Sequence, residues 1–260
     1  MQPYQEDLAR LLAQSGALFF RSGLRLKDGR PTPYFANLGV LRSGRQSLTL
    51  GRCFAGWLKD QGLADEVDVL LGPSYKGSAI AQAATIALWQ DLGLDKLFDY
   101  DRKEQKTHGE ASGKGNMFVT GALTDGARVL ILDDVGTSMA TKVELMEKVA
   151  AHEAAMGIKL KIVGVALAVD REQVQAVYDA QGKVVEGARG PDALGAFTQK
   201  TGLPVWPLLG IRQCVEYLHA AGEPVLVEGV RRPLDGGLLR QVRDYLAVYG
   251  RDFADAGREV

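Results

Sequence analysis

Two short apolar runs constrain this chain more than any other feature. VDVLL (67–71) and RVLILDD (128–134) each stop abruptly in a polar loop, GPSYKG (72–77) and VGTSMAT (135–141). Each loop opens a helical pattern, from Ser78 to about Trp89 and from about Lys142 to Ala155. A third run, IKLKIVGVALAVDRE (158–172), reads as another buried strand closed by a charged trio. Strands alternating with helices imply an α/β fold with a central parallel sheet, and ligands in such sheets occupy the crevice beyond the carboxyl ends of the strands. GPSYKG, DDVGTSMAT and VDRE all fall at that edge.

The segments around this frame are less regular. Leu8, Leu11 and Leu12 have helical spacing, and GLRLKDGRPTPYFANLGVL (23–41) alternates and turns at Gly29, Pro31 and Pro33. Residues 1–45 are therefore expected to form a small helix-plus-hairpin lobe, with 46–260 as one continuous core. A helical pattern covers Leu48 to Leu58, and a Gly-rich connection from Gln181 to Leu203 leads into a last strand and helices that end near Gly250. Between the two strand–loop–helix units lies DRKEQKTHGEASGKGN (101–116), with three glycines and no large apolar side chain. Such a stretch cannot join a core, and an exposed, mobile loop is expected.

Composition narrows the function classes. Thirty-one Lys and Arg stand against 32 Asp and Glu, a net charge of −1, so no general attraction to nucleic acid or to an anionic membrane is written into the chain. Any anion site must be local. Cys53 and Cys214 have no companion at metal-ligand spacing and read as reduced and buried, which suits a cytoplasmic protein. No segment approaches the roughly 18 apolar residues of a membrane span.

Asp133 and Asp134 are delivered side by side at a strand end, where they suit vicinal hydroxyls or a nearby metal; a turn former or helix cap is the plainer alternative. The loop after them carries Thr137, Ser138 and Thr141 into a helix start, a place where hydroxyls, backbone N–H groups and the helix dipole hold a phosphate. Acids for a sugar beside donors for a phosphate point to a ribose phosphate. GPSYKG, with Lys76 inside and a glycine at each end, suits a second anion. Arg102, Lys103, Lys106 and His108 lie within seven residues, a composition suited to neutralising a leaving polyanion as well as to an ordinary solvated face.

VLILDDVGTSMAT resembles the phosphoribosyl pyrophosphate signature of the type I phosphoribosyltransferases. DYDRKEQKTHGE is similar to the catalytic loop of the orotate-specific branch, and LRLKDGRPTPYFANLG, LLGPSYKG and AVDREQ match that branch in the same order. The likeness runs from about Gly16 to about Gly250. It implies a type I phosphoribosyltransferase fold with an N-terminal hood, and transfer of the phosphoribosyl group to orotate, giving orotidine 5-monophosphate on the route to UMP. Lys27, Phe35 and Ala36 would border orotate, Arg171 would meet its carboxylate or ring oxygens, and Thr137 would touch the same ligand. Tyr75 and Lys76 would lie along the pyrophosphate. Arg102, Lys103, Lys106 and His108 would be the catalytic groups over the diphosphate, reaching partly into a neighbouring subunit of a homodimer. Asp133 and Asp134 would take the ribose hydroxyls. The loop of Val135, Gly136, Thr137, Ser138, Met139, Ala140 and Thr141 would surround the phosphoribosyl group, with Ser138 to Thr141 at the 5-phosphate.

Magnesium is the expected cofactor, carried by substrate phosphates and water without an all-protein cage. This chain departs from the family pattern where Met139 replaces the usual glycine and Ala140 a common hydroxyl residue; a positive φ at Met139 would cost about 1 to 2 kcal/mol. The segment after His108 is also longer, through SGKGN. A phosphoribosyltransferase for another base is disfavoured by RKEQKTH together with Lys27 and Arg171, which suit an anionic pyrimidine. A nucleic-acid-binding regulator on the same fold would call for a basic face that the near-neutral charge does not support.

Overall fold

The structure, a computed structural model, describes residues 1–103, 117–136 and 138–251. Its centre is a five-stranded sheet in the order β4-β3-β5-β6-β7, built from β3 (Val69–Gly72), β4 (Leu97–Tyr100), β5 (Arg128–Gly136), β6 (Lys161–Asp170) and β7 (Val205–Gly210). Every pairing in it is parallel. All five carboxyl ends therefore lie along one edge, and the loops at 73–75, 101–103, 138–139 and 171–173 leave from it. The α/β expectation with its parallel sheet is met.

Alternation along the strands divides the core in two. Leu70, Leu130 and Leu132 pack with α1 (Pro3–Ser15), α2 (Gly44–Asp60) and α3 (Lys76–Leu92). Val69, Leu71, Val129 and Ile131 face the other way, onto Leu145 and Val149 of α4 (Ala140–Met156) and Leu194 and Phe197 of α5 (Ala193–Thr201). Near-continuous apolar strands are what two covered faces require.

The lobe expected over residues 1–45 does hold a hairpin, β1 (Leu18–Phe20) against β2 (Tyr34–Ala36). Its sheet is completed from the far end of the chain, because β8 (Pro224–Val227) pairs in parallel with β1 and in antiparallel with β9 (Val230–Pro233). The tail thus carries three strands rather than the single last strand expected, with α6 (Ile211–Ala220) between β7 and β8 and α7 (Gly236–Tyr249) after β9. The connection expected from Gln181 to Leu203 contains α5. Asp192 caps that helix through its side chain, and Ala193, Leu194 and Phe197 are buried by it, an apolar pattern masked by the glycines upstream. Cys53 and Cys214 are free and buried, and burial pushes both thiols up to about 12.

Candidate functional site

Adjacent strand residues point to opposite faces, and at the end of β5 this parts the two acids. Asp134 continues the Leu130–Leu132 side and meets the start of α3, where its Oδ2 accepts a hydrogen bond from Lys76 Nζ at 2.7 Å. Asp133 continues the Val129–Ile131 side and forms an ion pair with Lys142 in the first turn of α4. Its other oxygen accepts from Asp134 N at 2.8 Å. Burial raises the Asp133 pKa and the Lys142 ammonium opposes that rise. Lys142 is only 3% exposed, so this cation has exchanged water for Asp133. A lysine on a helix reads from sequence as a solvent-facing residue; only the depth of the first turn of α4 reveals it here.

The loop after the acids keeps its helix end open. Met139 is the N-cap of α4, no side chain caps the helix, and its first turn carries no acid. Lys142 N and Val143 N donate to Met139 O at 3.0 and 3.1 Å and Ala140 N makes only a 3.5 Å contact with Ser138 Oγ, so no acid among the described residues meets the positive end of the dipole. Ser138, Ala140 and Thr141 are exposed, Val135 is half-buried and Gly136 is buried. Met139 holds the left-handed conformation, φ 58° and ψ 4°, that favours glycine. Its side chain lies in the α4–α5 core, so burial of the thioether offsets the backbone strain. Thr137 lies outside the described residues.

The other anion-loop candidate closes on itself. A Cβ on Gly72 would stand 1.9 Å from Gly77 O, so the two glycines of GPSYKG serve close packing of strand end against helix start. Lys76 is the first residue of α3 and Tyr75 its N-cap. Tyr75 is 77% exposed and borders an apolar groove with Leu38, Leu41, Leu50, Ala79, Ile80 and Ala83. Arg102 is half-buried, with no hydrogen-bond partner for its Nε among the described residues, and Lys103 is exposed. Neither lines the main cavity. Lys106 and His108 lie outside the described residues.

The main cavity, about 720 Å³, opens between the small sheet and the carboxyl edge of β5 and β6. Lys27, Phe35, Ala36, Lys76, Asp134, Val135, Ser138 and Arg171 line it together. Asp133, Gly136, Met139, Ala140 and Thr141 stand outside that lining. Arg171 is 5% exposed, with its guanidinium carbon 5.5 Å from the centre of the Tyr34 ring and 5.6 Å from that of Phe35. Its Nε and Nη2 are buried and have no hydrogen-bond partner among the described residues. Leaving such donors unmade costs about 1 to 3 kcal/mol each, an arrangement that makes physical sense where a ligand supplies acceptors.

Other lining residues were given no individual role from the sequence, although Asp28, Arg30 and Gln173 lie in segments that resemble the family. Asp28 and Arg30 pair with each other, Arg30 also donates to Val174 O at 2.7 Å, and Gln173 donates to the hydroxyls of Tyr34 and Tyr245 at 3.3 and 2.7 Å. Gln175 and Tyr178 add a side wall. Behind Arg171, Glu172 has φ 55° and accepts from Arg212 N at 3.2 Å, and its burial drives the carboxyl up to about 7.

Among known proteins, the chain is 36% identical over 222 residues to the orotate phosphoribosyltransferase of Chromohalobacter salexigens, across 84% of both chains. It is 34% identical over 253 residues to the orotate phosphoribosyltransferase of Pseudomonas putida, across 96% of this chain and 100% of the relative. The crystal structure of the Francisella tularensis orotate phosphoribosyltransferase matches with a TM-score of 0.68 at 25% identity, over 93% of this chain and 98% of that one. The UMP synthase of Leishmania donovani shares the fold, with a TM-score of 0.62 at 21% identity, over 94% of this chain and 42% of that one. No protein-family model matches the chain.

Proposed function

This chain belongs to the orotate phosphoribosyltransferase family, and from that premise we propose how its own residues carry out the transfer. The reaction moves the 5-phosphoribosyl group from phosphoribosyl pyrophosphate to orotate, giving orotidine 5-monophosphate and pyrophosphate, a step of pyrimidine biosynthesis. The observation that carries the assignment of the site is Arg171, a guanidinium 5% exposed that lines the same cavity as Asp134 and Ser138, with Nε and Nη2 unpartnered among the described residues. An anionic pyrimidine supplies the acceptors that Arg171 lacks. Lys27, Phe35 and Ala36 border the same ligand, and Phe35 offers it a flat apolar wall.

Asp134 is the acid of the pair that lines the cavity, and its lysine partner is half exposed and free to move. We assign Asp134 to the ribose hydroxyls and Lys76 to the diphosphate, the two ions separating as substrate enters. Asp133 supports the ribose end while tied to Lys142. Val135, Gly136 and Thr137 to Thr141 surround the sugar phosphate, with the uncapped start of α4 as its anion-binding end. Tyr75 flanks the pyrophosphate together with Lys76.

The bond from the anomeric carbon to pyrophosphate breaks ahead of bond formation. Its electron pair leaves with pyrophosphate, the ring oxygen shares the positive charge, and the orotate ring nitrogen attacks from the opposite face. The protein's contribution is positioning and electrostatics, with Arg102, Lys103, Lys106 and His108 assigned to the leaving diphosphate. Magnesium is proposed as the cofactor. Asp133 and Asp134 are each already engaged by a lysine, and among the described residues no three His, Cys, Asp or Glu side chains cluster as ligands, so substrate oxygens and water are its expected ligands. When bound, it supplies charge neutralisation at the diphosphate.

We also propose a homodimer in which the basic loop serves partly the neighbouring site. Exposed Tyr75, Ile86 and Trp89 beside the apolar groove of α2 and α3 support a second copy there. Two buried free cysteines suit a cytoplasmic enzyme, and no helix among the described residues is long and apolar enough to cross a membrane. Loss of orotate absorbance on adding phosphoribosyl pyrophosphate and magnesium is the direct test. Efficient turnover of adenine, hypoxanthine or uracil with none of orotate overturns the assignment.

A further inference from the structure

We propose that Lys148 is a positioning residue for the diphosphate side of the site, acting through Asp101 on the two segments that face the leaving group. This rests on the reading of Lys76 and Arg102 given above. Asp101 is 3% exposed and lies outside the cavity lining, yet three segments meet on it. Its Oδ1 accepts from Ser74 N at 2.6 Å, and its carbonyl accepts from Ser74 Oγ at 2.5 Å. Its Oδ2 pairs with Lys148 of α4, whose ammonium also donates to Arg102 O at 3.0 Å. Ser74 immediately precedes Tyr75 and Lys76, and Arg102 begins the basic run.

The backbone makes this joint stiff. Arg102 N donates to Met117 O at 2.8 Å and Val119 N to Tyr100 O at 3.2 Å, with Asp101 and Phe118 bridged between them. The strand that enters the basic run and the strand that leaves it are thus clamped one residue either side of Asp101. Ser74 ties that clamp to the GPSYKG loop. Lys148 adds a charged tie from the clamp to α4, whose other end forms the phosphate loop, beside the apolar packing of Phe118 on His152, Leu145 and Val149 of the same helix. Phe118 sets the distance of the clamp from α4 and the ion pair fixes the orientation of Asp101 toward Ser74 and Arg102, and a displacement of about 1 Å at reacting groups is enough to cost a hundredfold.

A lysine with a half-buried stem between Leu145 and Val149 can serve stability alone, and kinetics separates the two roles. Lys148→Met should raise the KM for phosphoribosyl pyrophosphate, and for pyrophosphate in the reverse reaction, by about tenfold or more. The KM for orotate should stay within about twofold, because among the described residues the hydrogen bonds and ion pairs of the Asp101 side chain go to Ser74 and Lys148 and none to Arg171 or the hood. Lys148→Arg should restore the diphosphate KM to within about threefold. The Asp101→Asn/Lys148→Met double variant leaves no buried unpaired charge and keeps an acceptor for Ser74 N, so it tests the tie to α4 even if Lys148→Met does not fold. The same selective rise in the double variant supports the proposal. A lowered Tm with unchanged KM values, or an equal rise for orotate, overturns it. Equilibrium binding of phosphoribosyl pyrophosphate to the wild-type and variant chains gives the comparison without turnover, so a failure of the orotate reaction counts against the functional reading and not against the joint.

Discussion

Replacing Met139 by glycine and by alanine separates two opposed contributions at one position. Its left-handed backbone carries a strain of roughly 1 to 2 kcal/mol for any residue with a Cβ. Its side chain, 3% exposed in the α4–α5 core, is worth about 2 to 5 kcal/mol against alanine. Met139→Ala loses the burial and keeps the strain, and should destabilise by that full amount. Met139→Gly also loses the burial but relieves the strain, against about 0.5 to 1 kcal/mol of added chain entropy. Glycine should therefore lie between wild type and alanine, about 1 kcal/mol above alanine, or about 2 to 4 °C in Tm for a chain of this size. Helix-interior positions show the reverse order. Urea unfolding of the three proteins measures it, and phosphoribosyl pyrophosphate binding should weaken only about two- to fivefold in Met139→Gly, the share of loop entropy no longer fixed in advance. Alanine as stable as glycine would refute the left-handed strain, and glycine more stable than wild type would refute the anchoring by the thioether.

Arg171→Met should raise the orotate KM on the order of ten- to a hundredfold with little change for phosphoribosyl pyrophosphate, since charge-assisted hydrogen bonds are worth about 1.5 to 3 kcal/mol; steady-state kinetics with each substrate varied decides it, and an unchanged orotate KM removes Arg171 from the site. Glu172 titrates near 7 in the folded chain against 4.5 when free, so between those values the folded state holds a proton that the unfolded state has released. Its contribution to stability is therefore fully present below about pH 4.5 and falls by up to about 3 kcal/mol as pH rises to 7. Glu172→Gln should flatten that decline in urea midpoints and be the more stable protein at pH 8; an unaltered pH slope contradicts the assignment. Lys106→Ala should lose about a hundred- to a thousandfold in single-turnover rate with a much smaller loss of substrate binding, and an unchanged rate argues against its catalytic role. Mixed with Asp134→Asn it should recover up to about a quarter of wild-type activity through hybrid dimers, and no recovery despite demonstrated subunit exchange means each loop serves its own site.

Much of the site's frame is local and so was legible in the chain. Whether VDVLL, RVLILDD and the run closed by VDRE become parallel strands depends on apolar period and on the helices between them, and their ends had to share an edge. The acids and the hydroxyl-bearing loop followed from that placement, and Arg171 from the likeness of AVDREQ to the family. Met139 in place of glycine left open whether the loop keeps a positive φ at a cost in strain or is reshaped; the structure keeps it, with the side chain in a core the sequence did not reveal.

The chain dictates the set of chemical groups at the carboxyl edge, because strand alternation and loop position depend on neighbours a few residues apart. How those groups are partnered comes from the packing of distant segments. That packing completed the small sheet with β8 and β9 from the far end of the chain, turned Asp133 to Lys142 and Asp134 to Lys76, and left two donors of Arg171, beside Tyr34 and Phe35, without a partner among the described residues. Pairings between distant segments leave no periodicity in the chain. A lysine reads as solvated until the fold removes its water, and from then on the free energy of the buried charge depends on which carboxylate the packing has brought beside it.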